Sequence, residues 1–208
     1  AEEYGVPQIR HRYIIVGIRG DLPVEFHVPS PEPYKNIDVT AGHALADIPE
    51  WASNNDVKKL TQRVIGKLEH TLPGQNIWQA MKNPDFPDEY RIKEHYSFSQ
   101  IYRKLRPDKP GYTITANGGG GTWGYYWDGA RELTNRERAR IQTFPDTYTF
   151  TGKYSSVRRQ IGMAVPCELS RIVTKAVLDS FAGEEYPWIE PNMDGDQKTK
   201  PKKGKKNG

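Results

Sequence analysis

Three polar side chains suited to nucleic-acid contacts lie close together near the start of the chain. Gln8, Arg10 and Arg12 are spaced two residues apart and run directly into RYIIVGI, residues 12–18. The planar guanidinium of arginine grips a phosphate or a base oxygen with two hydrogen bonds. These residues are therefore candidate contacts to nucleic acid. A solvent-exposed strand edge is the alternative interpretation.

A second polar segment combines hydroxyl and amide groups with a run of glycines. Thr113, Thr115 and Asn117 carry groups that can read base edges. They lead into Gly118–Gly121, where the backbone can approach a ligand closely, although a flexible hairpin tip is the alternative. The run lacks the Gly-Lys-Ser/Thr ending of a phosphate-binding P-loop, and basic residues upstream are candidate phosphate contacts. The candidate DNA contacts here are Arg106, Thr113, Thr115, Asn117, Gly118, Gly119 and Gly120.

The basic residues that follow are predicted to be mostly structural. Thr134 and Glu137 have the spacing of a capping box, which predicts a helix from about Asn135 to Thr143. Apolar residues give this helix a buried side, so its charges are not all available to a ligand. Arg131, just before the helix, is kept as a candidate phosphate contact. The arginines interpreted as structural are Arg136, Arg138 and Arg140.

Two more helices are expected before the C-terminus. Ser156 is a candidate cap for a short helix over residues 157–162. Pro166 suits the first position of a longer helix to about Phe181, with Gly183 just beyond its end. That helix has a continuous apolar stripe, which must pack on other structure. The stripe is Leu169, Ile172, Val173, Ala176 and Val177.

The elements that must position these residues are short and irregular, as 16 prolines and 19 glycines in 208 residues indicate. Residues 12–18 form a β-branched run typical of a buried strand, and prolines between positions 23 and 33 predict a linker. Other predicted elements are a helical turn within 39–48, a helix from Asp56 through Leu68, a loop over 71–95, and strands at 112–116 and 123–127.

Composition limits the class of protein. One cysteine excludes a disulfide framework and fits a reducing compartment. No apolar run reaches the roughly 18 residues of a membrane span, and the N-terminus lacks a signal-peptide pattern, so we expect a cytoplasmic protein without a membrane partner. Six lysines and two aspartates in residues 194–208 account for the whole net charge of +4. That end is predicted to be a disordered tail, with a loose, salt-dependent phosphate contact as the alternative.

Three stretches resemble one enzyme family. GVPQIRHRYIIVG from Gly5, RELTNRERARIQTFPD from Arg131 and QIGMAVP from Gln160 resemble the eighth, ninth and tenth motifs of the DNA (cytosine-5) methyltransferases. TITANGGGG resembles the recognition loop of that family's target recognition domain. The resemblance implies an α/β chain: the C-terminal part of a Rossmann-like methyltransferase domain plus an irregular α+β target recognition domain. The implied regions are a catalytic-domain strand over 1–20, the recognition domain over 21–130, returning helices over 131–185 and a basic tail over 186–208.

The resemblance also implies roles for single residues. Arg12 matches the arginine that contacts the flipped-out cytosine, and Arg10 matches one that lies against the DNA backbone. Tyr148 and Ala164 match positions beside the cofactor, S-adenosylmethionine. Met163 stands where the family usually has asparagine, so a side-chain hydrogen bond from this cofactor position is in doubt. No metal site is implied.

The family's main catalytic sequences are not found in this chain. It has no Phe-x-Gly-x-Gly, no Pro-Cys-Gln and no Glu-Asn-Val. Cys167 follows a proline, and a thiol at a helix N-terminus can have a lowered pKa. Its position nevertheless matches a second proline of the tenth motif, so Cys167 is not assigned as the nucleophile.

Two main hypotheses follow. The chain is either the C-terminal portion of a cytosine-5 methyltransferase, as a subunit of a split enzyme or a piece of a longer one, or a stand-alone, non-catalytic DNA-binding protein. The first implies double-stranded DNA and an N-terminal catalytic half as partners, in a bacterial restriction-modification system at the nucleoid. A generic interaction protein with a basic tail is a third reading. The target DNA sequence cannot be deduced from the residues of the recognition loop, 113–121.

Overall fold

The computed structural model describes residues 1–93, 100–116 and 124–191, which form a small mixed α/β structure. Its strands β1 (Val28–Pro29) and β2 (Trp188–Ile189) pair antiparallel. Within the described ranges, no helix is both long enough and apolar enough to cross a bilayer. The α-helices are α1 Ala41–Leu45, α2 Gln62–Glu69, α3 Ile77–Ala80, α4 Asn135–Ile141, α5 Tyr154–Met163 and α6 Cys167–Ala182, and 3₁₀ turns occupy Glu2–Tyr4, Glu32–Tyr34 and Asp88–Tyr90.

Helix α4 begins as the sequence predicts. The Thr134 hydroxyl accepts the Glu137 N–H at 3.0 Å, and the Glu137 carboxylate accepts the Thr134 N–H at 2.7 Å. This reciprocal pair satisfies two backbone donors that a helix N-terminus otherwise leaves unbonded. The helix ends at Ile141, before the predicted Thr143, because Thr143 has a left-handed φ of 58°.

Helix α5 begins after Lys153, so the predicted cap Ser156 lies inside the helix and that prediction is wrong, whereas α6 forms close to its predicted bounds. Helix α6 has Pro166 as its N-cap, and Gly183 follows its end at φ 71°, a left-handed conformation that glycine adopts without strain. Its apolar stripe is largely covered, since Leu169, Ile172 and Ala176 are 6%, 3% and 3% exposed and Val173 and Val177 are half-buried. Leu178 and Phe181, which lie outside the stripe, are 63% and 53% exposed. The described chain therefore supplies most of the packing surface that the stripe needs.

The middle of the chain departs from prediction in two places. Helix α2 is capped at Thr61 rather than Asp56, so it is shorter than expected. Helix α3 lies inside the stretch predicted as loop, and it is fixed by a capping box in which Asn76 and Gln79 exchange two hydrogen bonds of 3.0 Å. Four residues are too few to produce a helical periodicity that a sequence reading can detect.

Two apolar clusters hold the described residues together. The larger one joins side chains from both sides of the boundary expected near residue 130, so the predicted recognition region and the returning helices share one core. A smaller cluster lies around α3. The larger contains Ala41, Leu45, Leu105, Ile114, Leu133, Ala139, Ile141, Phe150, Val157 and Ile161, and the smaller Ile77, Ala80, Phe86 and Ile101.

The buried strand predicted over residues 12–18 is wrong for this structure. The segment forms neither helix nor strand, and Tyr13 and Ile15 are 83% and 93% exposed. A strand needs a neighbour for its backbone hydrogen bonds, and the described part of the chain supplies none to this segment. The strand predicted over 112–116 is also wrong for this structure, which has a single parallel bridge between Gln8 and Gly111, one residue earlier. In 124–127, the described part of the other predicted strand, Tyr125 bridges Lys104 and Glu132.

The predicted linker and the predicted tail pair with each other. Strand β1 lies among the prolines of the expected linker, and β2 lies within the 186–208 region. The Tyr186 hydroxyl donates to the His27 carbonyl at 2.9 Å, and the His27 ring stacks on Trp188 with centroids 4.4 Å apart. Residues 192–208, which hold all the tail lysines, lie outside the described residues.

The capping geometry gives a stability prediction. Thr134→Ala removes the hydroxyl that caps α4 and also bonds Asn55 at 2.8 Å, so we expect a loss of about 1–2 kcal/mol in the free energy of unfolding. Urea denaturation followed by circular dichroism measures it. Thr61→Ala is the matched control, because Thr61 precedes α2 without a side-chain capping bond. Equal losses in the two variants would contradict the assigned role of the Thr134 hydroxyl.

Candidate functional site

The segment that carries Gln8 and Arg10 is joined to the start of the predicted recognition segment. Gly111 donates its N–H to Pro7 O at 3.0 Å and accepts the Ile9 N–H at 2.9 Å. The Thr113 hydroxyl then donates to Ile9 O at 2.7 Å. Two regions about a hundred residues apart in sequence thus run side by side, as one short parallel pairing.

Gln8 lies inside the protein rather than on a DNA-facing surface. Its side chain is fully buried, and its amide nitrogen donates to Gln142 Oε1 at 2.9 Å and to Ile141 O at 3.2 Å. Its amide oxygen accepts the Ile114 N–H at 3.0 Å and Arg10 Nη1 at 3.2 Å. The polar atoms predicted to meet DNA are engaged within the chain.

Arg10 is a second buried member of this group. The residue is 6% exposed, and its guanidinium donates to Ile114 O at 2.8 Å and to Ala164 O at 3.3 Å. Burial, with a further contribution from the charge of Arg12, lowers the pKa of Arg10. A contact from Arg10 to the DNA backbone would require it to leave these carbonyl partners.

Arg12 is the outward-facing arginine of the segment 8–12, which we call the arm. It is exposed, and its Nη1 donates to the neighbouring His11 O at 2.6 Å. With Arg10 it lines a cleft of about 830 Å³ that Leu169 and Val173 of α6 also border. Arg12 can therefore offer its planar fork to a ligand entering from outside the chain.

The predicted DNA contacts of the recognition segment are only partly described. Thr113 is half-buried and bonded to Ile9, whereas Thr115 is exposed. Arg106 is exposed and forms a two-point ion pair with Asp108 at 2.9 and 2.5 Å. A surface pair of this kind is worth little and can be exchanged for a phosphate. The predicted contacts Asn117, Gly118, Gly119 and Gly120 lie outside the described residues.

Arg131 is braced against α4. Its guanidinium bonds both carboxylate oxygens of Glu137, at 2.7 and 2.8 Å, and lies 3.7 Å from the centre of the Tyr126 ring. Burial alone would lower the pKa of Arg131, but the Glu137 bonds outweigh it and the net direction is upward. A phosphate at Arg131 would have to compete with this existing carboxylate.

The arginines of α4 are structural, as interpreted from the sequence. Arg136 is fully buried and donates to three backbone carbonyls, of Ser53 at 2.8 Å, Pro145 at 3.1 Å and Tyr148 at 2.6 Å. Arg140 pairs with Asp146 and donates to the carbonyls of Ala44, within α1, and Asp47, just after it. Arg138 is 1% exposed and lies 3.5 Å from Glu132. Their charge holds loops rather than meeting a ligand.

The residues expected beside a cofactor present mainly apolar surface. Tyr148 is 49% exposed and its ring contacts Phe144 and Phe150. Met163, the last residue of α5, is 65% exposed. Ala164 follows it and is held through its carbonyl by Arg10 and Gln142. In the described ranges no group of three histidine, cysteine or carboxylate side chains is placed to hold a metal ion.

Two residues with clear positions in this arrangement are missed by the sequence reading. Gln142 is fully buried between Gln8 and the end of α5. Gly162 lies so near the recognition segment that an added Cβ would come within 2.4 Å of Thr115 backbone atoms. Both lie inside the quoted motif stretches, Gln142 in 131–146 and Gly162 in 160–166, and a glycine within a helix is a signal of close packing.

Cys167 does not have the environment of an activated nucleophile. Its N–H donates to Gln142 O at 3.0 Å, and the next N–H, of Glu168, donates to Thr143 Oγ1 at 2.9 Å. Burial raises the pKa of the Cys167 thiol, and the negative charge of Glu168 acts in the same direction. The lowering that a helix N-terminus can provide is therefore outweighed.

Comparison with known proteins identifies one family. The sequence model of the family described as C-5 cytosine-specific DNA methylase matches residues 1–179. The Type II methyltransferase M.BbvI of Brevibacillus brevis is 53% identical over 93% of this chain and 50% of its own length. M.NgoFVII of Neisseria gonorrhoeae is 40% identical over 86% and 48%. The DNA (cytosine-5-)-methyltransferase M.ApeKI of Aeropyrum pernix is 48% identical over 41% of this chain and 19% of its own. The chain spans about half the length of the first two.

The environment of Cys167 predicts a pH dependence. Because its pKa is raised, the thiolate forms only at higher pH than in the unfolded chain, where cysteine titrates at roughly 8.5. We expect the pH midpoint of iodoacetamide alkylation to be higher for the folded chain than for the same chain in urea. Cys167 is the one cysteine, so the rate reports a single thiol. A folded-state midpoint below the unfolded one would instead indicate an activated nucleophile.

Proposed function

The chain belongs to the family of C-5 cytosine-specific DNA methylases, and from that premise we propose that it is the C-terminal half of such an enzyme. In this proposal it reads double-stranded DNA and completes the active site of a separate or preceding N-terminal half. The reaction is methylation of C5 of a flipped cytosine by S-adenosylmethionine, in a bacterial restriction-modification system. Regions 1–20, 21–130 and 131–185 serve as catalytic strand, recognition domain and returning helices.

The observation that carries the proposal is the exposed apolar run over residues 12–18. Tyr13 at 83% and Ile15 at 93% are far more exposed than Ile14 between them at 48%. Successive side chains of an extended segment point to opposite sides, so Tyr13 and Ile15 together form the more exposed apolar side of this segment. Exposing contiguous apolar surface is unfavourable in a soluble monomer and is typical of an interaction site.

The cleft beside this run gives the partner a place to pack. About 830 Å³ of space lies between residues 10–16 and the side chains of Leu169 and Val173 on α6. Apolar residues on both walls favour a partner that inserts a sheet edge and its hydrophobic side chains. The N-terminal half of a methyltransferase has that chemistry, because a Rossmann-like sheet is continuous and buried on both faces.

The sequence supports a division of labour. The thiolate chemistry of this family needs a nucleophilic cysteine, and the one cysteine here, Cys167, has a raised pKa at the start of α6. The Pro-Cys-Gln, Phe-x-Gly-x-Gly and Glu-Asn-Val sequences do not occur in residues 1–208. We therefore assign the nucleophile and the principal cofactor loop to the partner half.

Within the proposal, Arg12 is the direct contact of this chain to the reacting base. Its guanidinium stands at the cleft, exposed, with donors available to a cytosine oxygen or an adjacent phosphate. Arg10 and Gln8 act behind it by holding the arm. Thr115, Asn117 and the glycines that follow supply the groove contacts, and Arg106 and Arg131 supply phosphate contacts once their ion pairs open.

In this proposal, Tyr148, Met163 and Ala164 contribute to one wall of the site for S-adenosylmethionine, which enzymes of this family use. Tyr148 and Met163 offer exposed apolar surface suited to an adenine ring, and Ala164 lies next to Met163. These three residues provide no carboxylate for the ribose hydroxyls or the ammonium group, so those contacts fall to the partner. When bound, the group supplies a methyl on a positively charged sulfur. The chain's own part is to shape the wall and exclude water.

Reconstitution tests the proposal. The full chain is mixed with the N-terminal half of M.BbvI as the surrogate partner, and transfer of labelled methyl groups to duplex DNA is measured, with bisulfite sequencing to locate them. We expect no transfer by the chain alone and transfer to cytosine C5 by the pair. Arg12→Ala should reduce the pair's rate by about 10²-fold, the usual effect of losing one oriented donor in an active site.

The controls separate charge from geometry. Arg12→Lys keeps the positive charge but loses the two-pronged fork, so it should recover only part of the rate. Arg63→Ala removes an exposed arginine of α2 outside every proposed contact and should stay within about twofold of wild type. Methyl transfer by the chain alone, or none by the pair, would contradict the proposal. Sequence-specific DNA binding by a monomer that ignores the partner would favour the stand-alone DNA-binding alternative.

A substitution in the exposed run tests the docking surface separately. Ile15→Asp puts a charge where the partner would bury an isoleucine, and we expect its affinity for the partner to fall by about 100-fold, or roughly 3 kcal/mol. The melting temperature of the free chain should not change, because the side chain is 93% exposed. Isothermal titration calorimetry measures the affinity. Leu72→Asp, at a position 62% exposed outside the cleft, is the matched control. If the Ile15 and Leu72 variants bind the partner with equal affinity, residues 12–18 are not the docking surface.

A further inference from the structure

We propose that Gln142, Gln8 and Gly162 form a positioning junction that fixes the recognition segment, residues 111–116, relative to Arg12 and to the turn after α5. The inference rests on the proposed function and assigns residues that act through others, without touching DNA or cofactor. It makes the position of the DNA-reading segment a determinant of the rate at the reacting base.

The side-chain amide of Gln142 is the centre of the junction. Its nitrogen donates to Ile161 O, in the last turn of α5, at 2.7 Å and to Ala164 O, just after the helix, at 3.3 Å. Its oxygen accepts the Gln8 amide at 2.9 Å. The side chain is fully buried, and a buried amide with all these partners has one well-defined orientation.

Gln8 carries the connection on to the recognition segment. One end of its amide bonds Gln142, and the other accepts the backbone N–H of Ile114 at 3.0 Å. Arg10 closes the same loop by donating to Ile114 O and to Ala164 O. Both backbone groups of Ile114 are thus held by the arm that leads to Arg12.

Gly162 sets the distance on the opposite side. A Cβ at this position would lie 2.2–2.4 Å from the backbone of Thr115 and Ala116, which is far inside van der Waals contact. The clash is with backbone, so no flexible side chain can move aside. The last turn of α5 therefore packs directly on the recognition segment, at a separation that only glycine permits.

These contacts leave little freedom between the three parts. Hydrogen bonds from buried amides are directional, and losing one leaves a buried polar group with neither a protein partner nor water to bond. A shift of the recognition segment by about 1 Å would break the Ile114 bonds and displace the arm. Misplacement of a catalytic contact by about 1 Å can lower the rate by about 10²-fold. A poorly matched DNA site that shifts the recognition segment would therefore be methylated slowly.

Two variants of the full chain test the junction. Gly162→Ala adds the clashing carbon, and Gln142→Met keeps the length of the side chain but removes its hydrogen bonds. Ser155→Ala, at an exposed position of the same helix, is the control. In the free chain we expect faster hydrogen exchange at the Gly111 and Ile114 amides in both variants and none of this change in the control.

In the reconstituted pair, methylation of a randomised duplex pool is read by bisulfite sequencing. Both variants should lower the ratio of preferred to other sites by at least about 10-fold and lower kcat by about 10²-fold, with KM for DNA within about threefold. A merely destabilised protein would lose active fraction without changing the site ratio. An unchanged ratio and kcat would overturn the inference.

The free-chain measurement keeps this inference distinct from the proposed function. If the wild-type pair transfers no methyl group, the proposed function fails, and unchanged exchange at Gly111 and Ile114 would still overturn the junction by itself. If Gly162→Ala does not fold, Gln142→Met carries the same decision, because it adds no atom near the backbone of residues 115–116.

Discussion

The buried amide of Gln8 connects parts of the chain that are far apart in sequence. It bonds the end of α4 at Ile141, the side chain of Gln142 and the backbone of Ile114. A loop-rich chain with two strands of two residues each in its described part has few backbone ladders to hold such segments. Here side-chain amides take over that role. The orientation of the arm, the recognition segment and the α5–α6 turn all depend on this group.

The buried arginines likewise provide hydrogen bonds that helices and sheets would otherwise provide to the backbone. Arg136 donates hydrogen bonds to three carbonyls of irregular backbone. A buried carbonyl without such a donor must bond water, or it costs free energy. Guanidinium suits this because it offers five donors in a fixed plane. A basic sequence pattern in such a protein is therefore poor evidence for DNA contact. Exposure separates Arg12 from Arg10, although both fit the same two-residue spacing.

How much the sequence reveals depends on the range of the interactions involved. The start of α4 and the end of α6 could be predicted because Thr134, Glu137 and Gly183 act on their own neighbours. The burial of Gln8 could not, because its partner Gln142 is 134 residues away. The strand predicted over 12–18 failed for a different reason. Its β-branched residues favour a sheet, yet a strand exists only where another segment completes its hydrogen bonds.

The N-terminal segment is hydrogen-bonded to the rest of the chain up to Arg10 and exposed from residue 12 onward. Up to Arg10 the segment is tied by Gln8, Ile9 and Arg10 to the recognition segment and to α5. From residue 12 onward it is exposed and apolar without a neighbouring strand among the described residues. Arg12 stands at the junction of these two environments. The position of Arg12 therefore depends on the recognition segment on one side. On the other side it depends on the surface that packs on the apolar run in the proposed complex. That position is where a residue must lie if base recognition and chemistry are contributed by two different bodies.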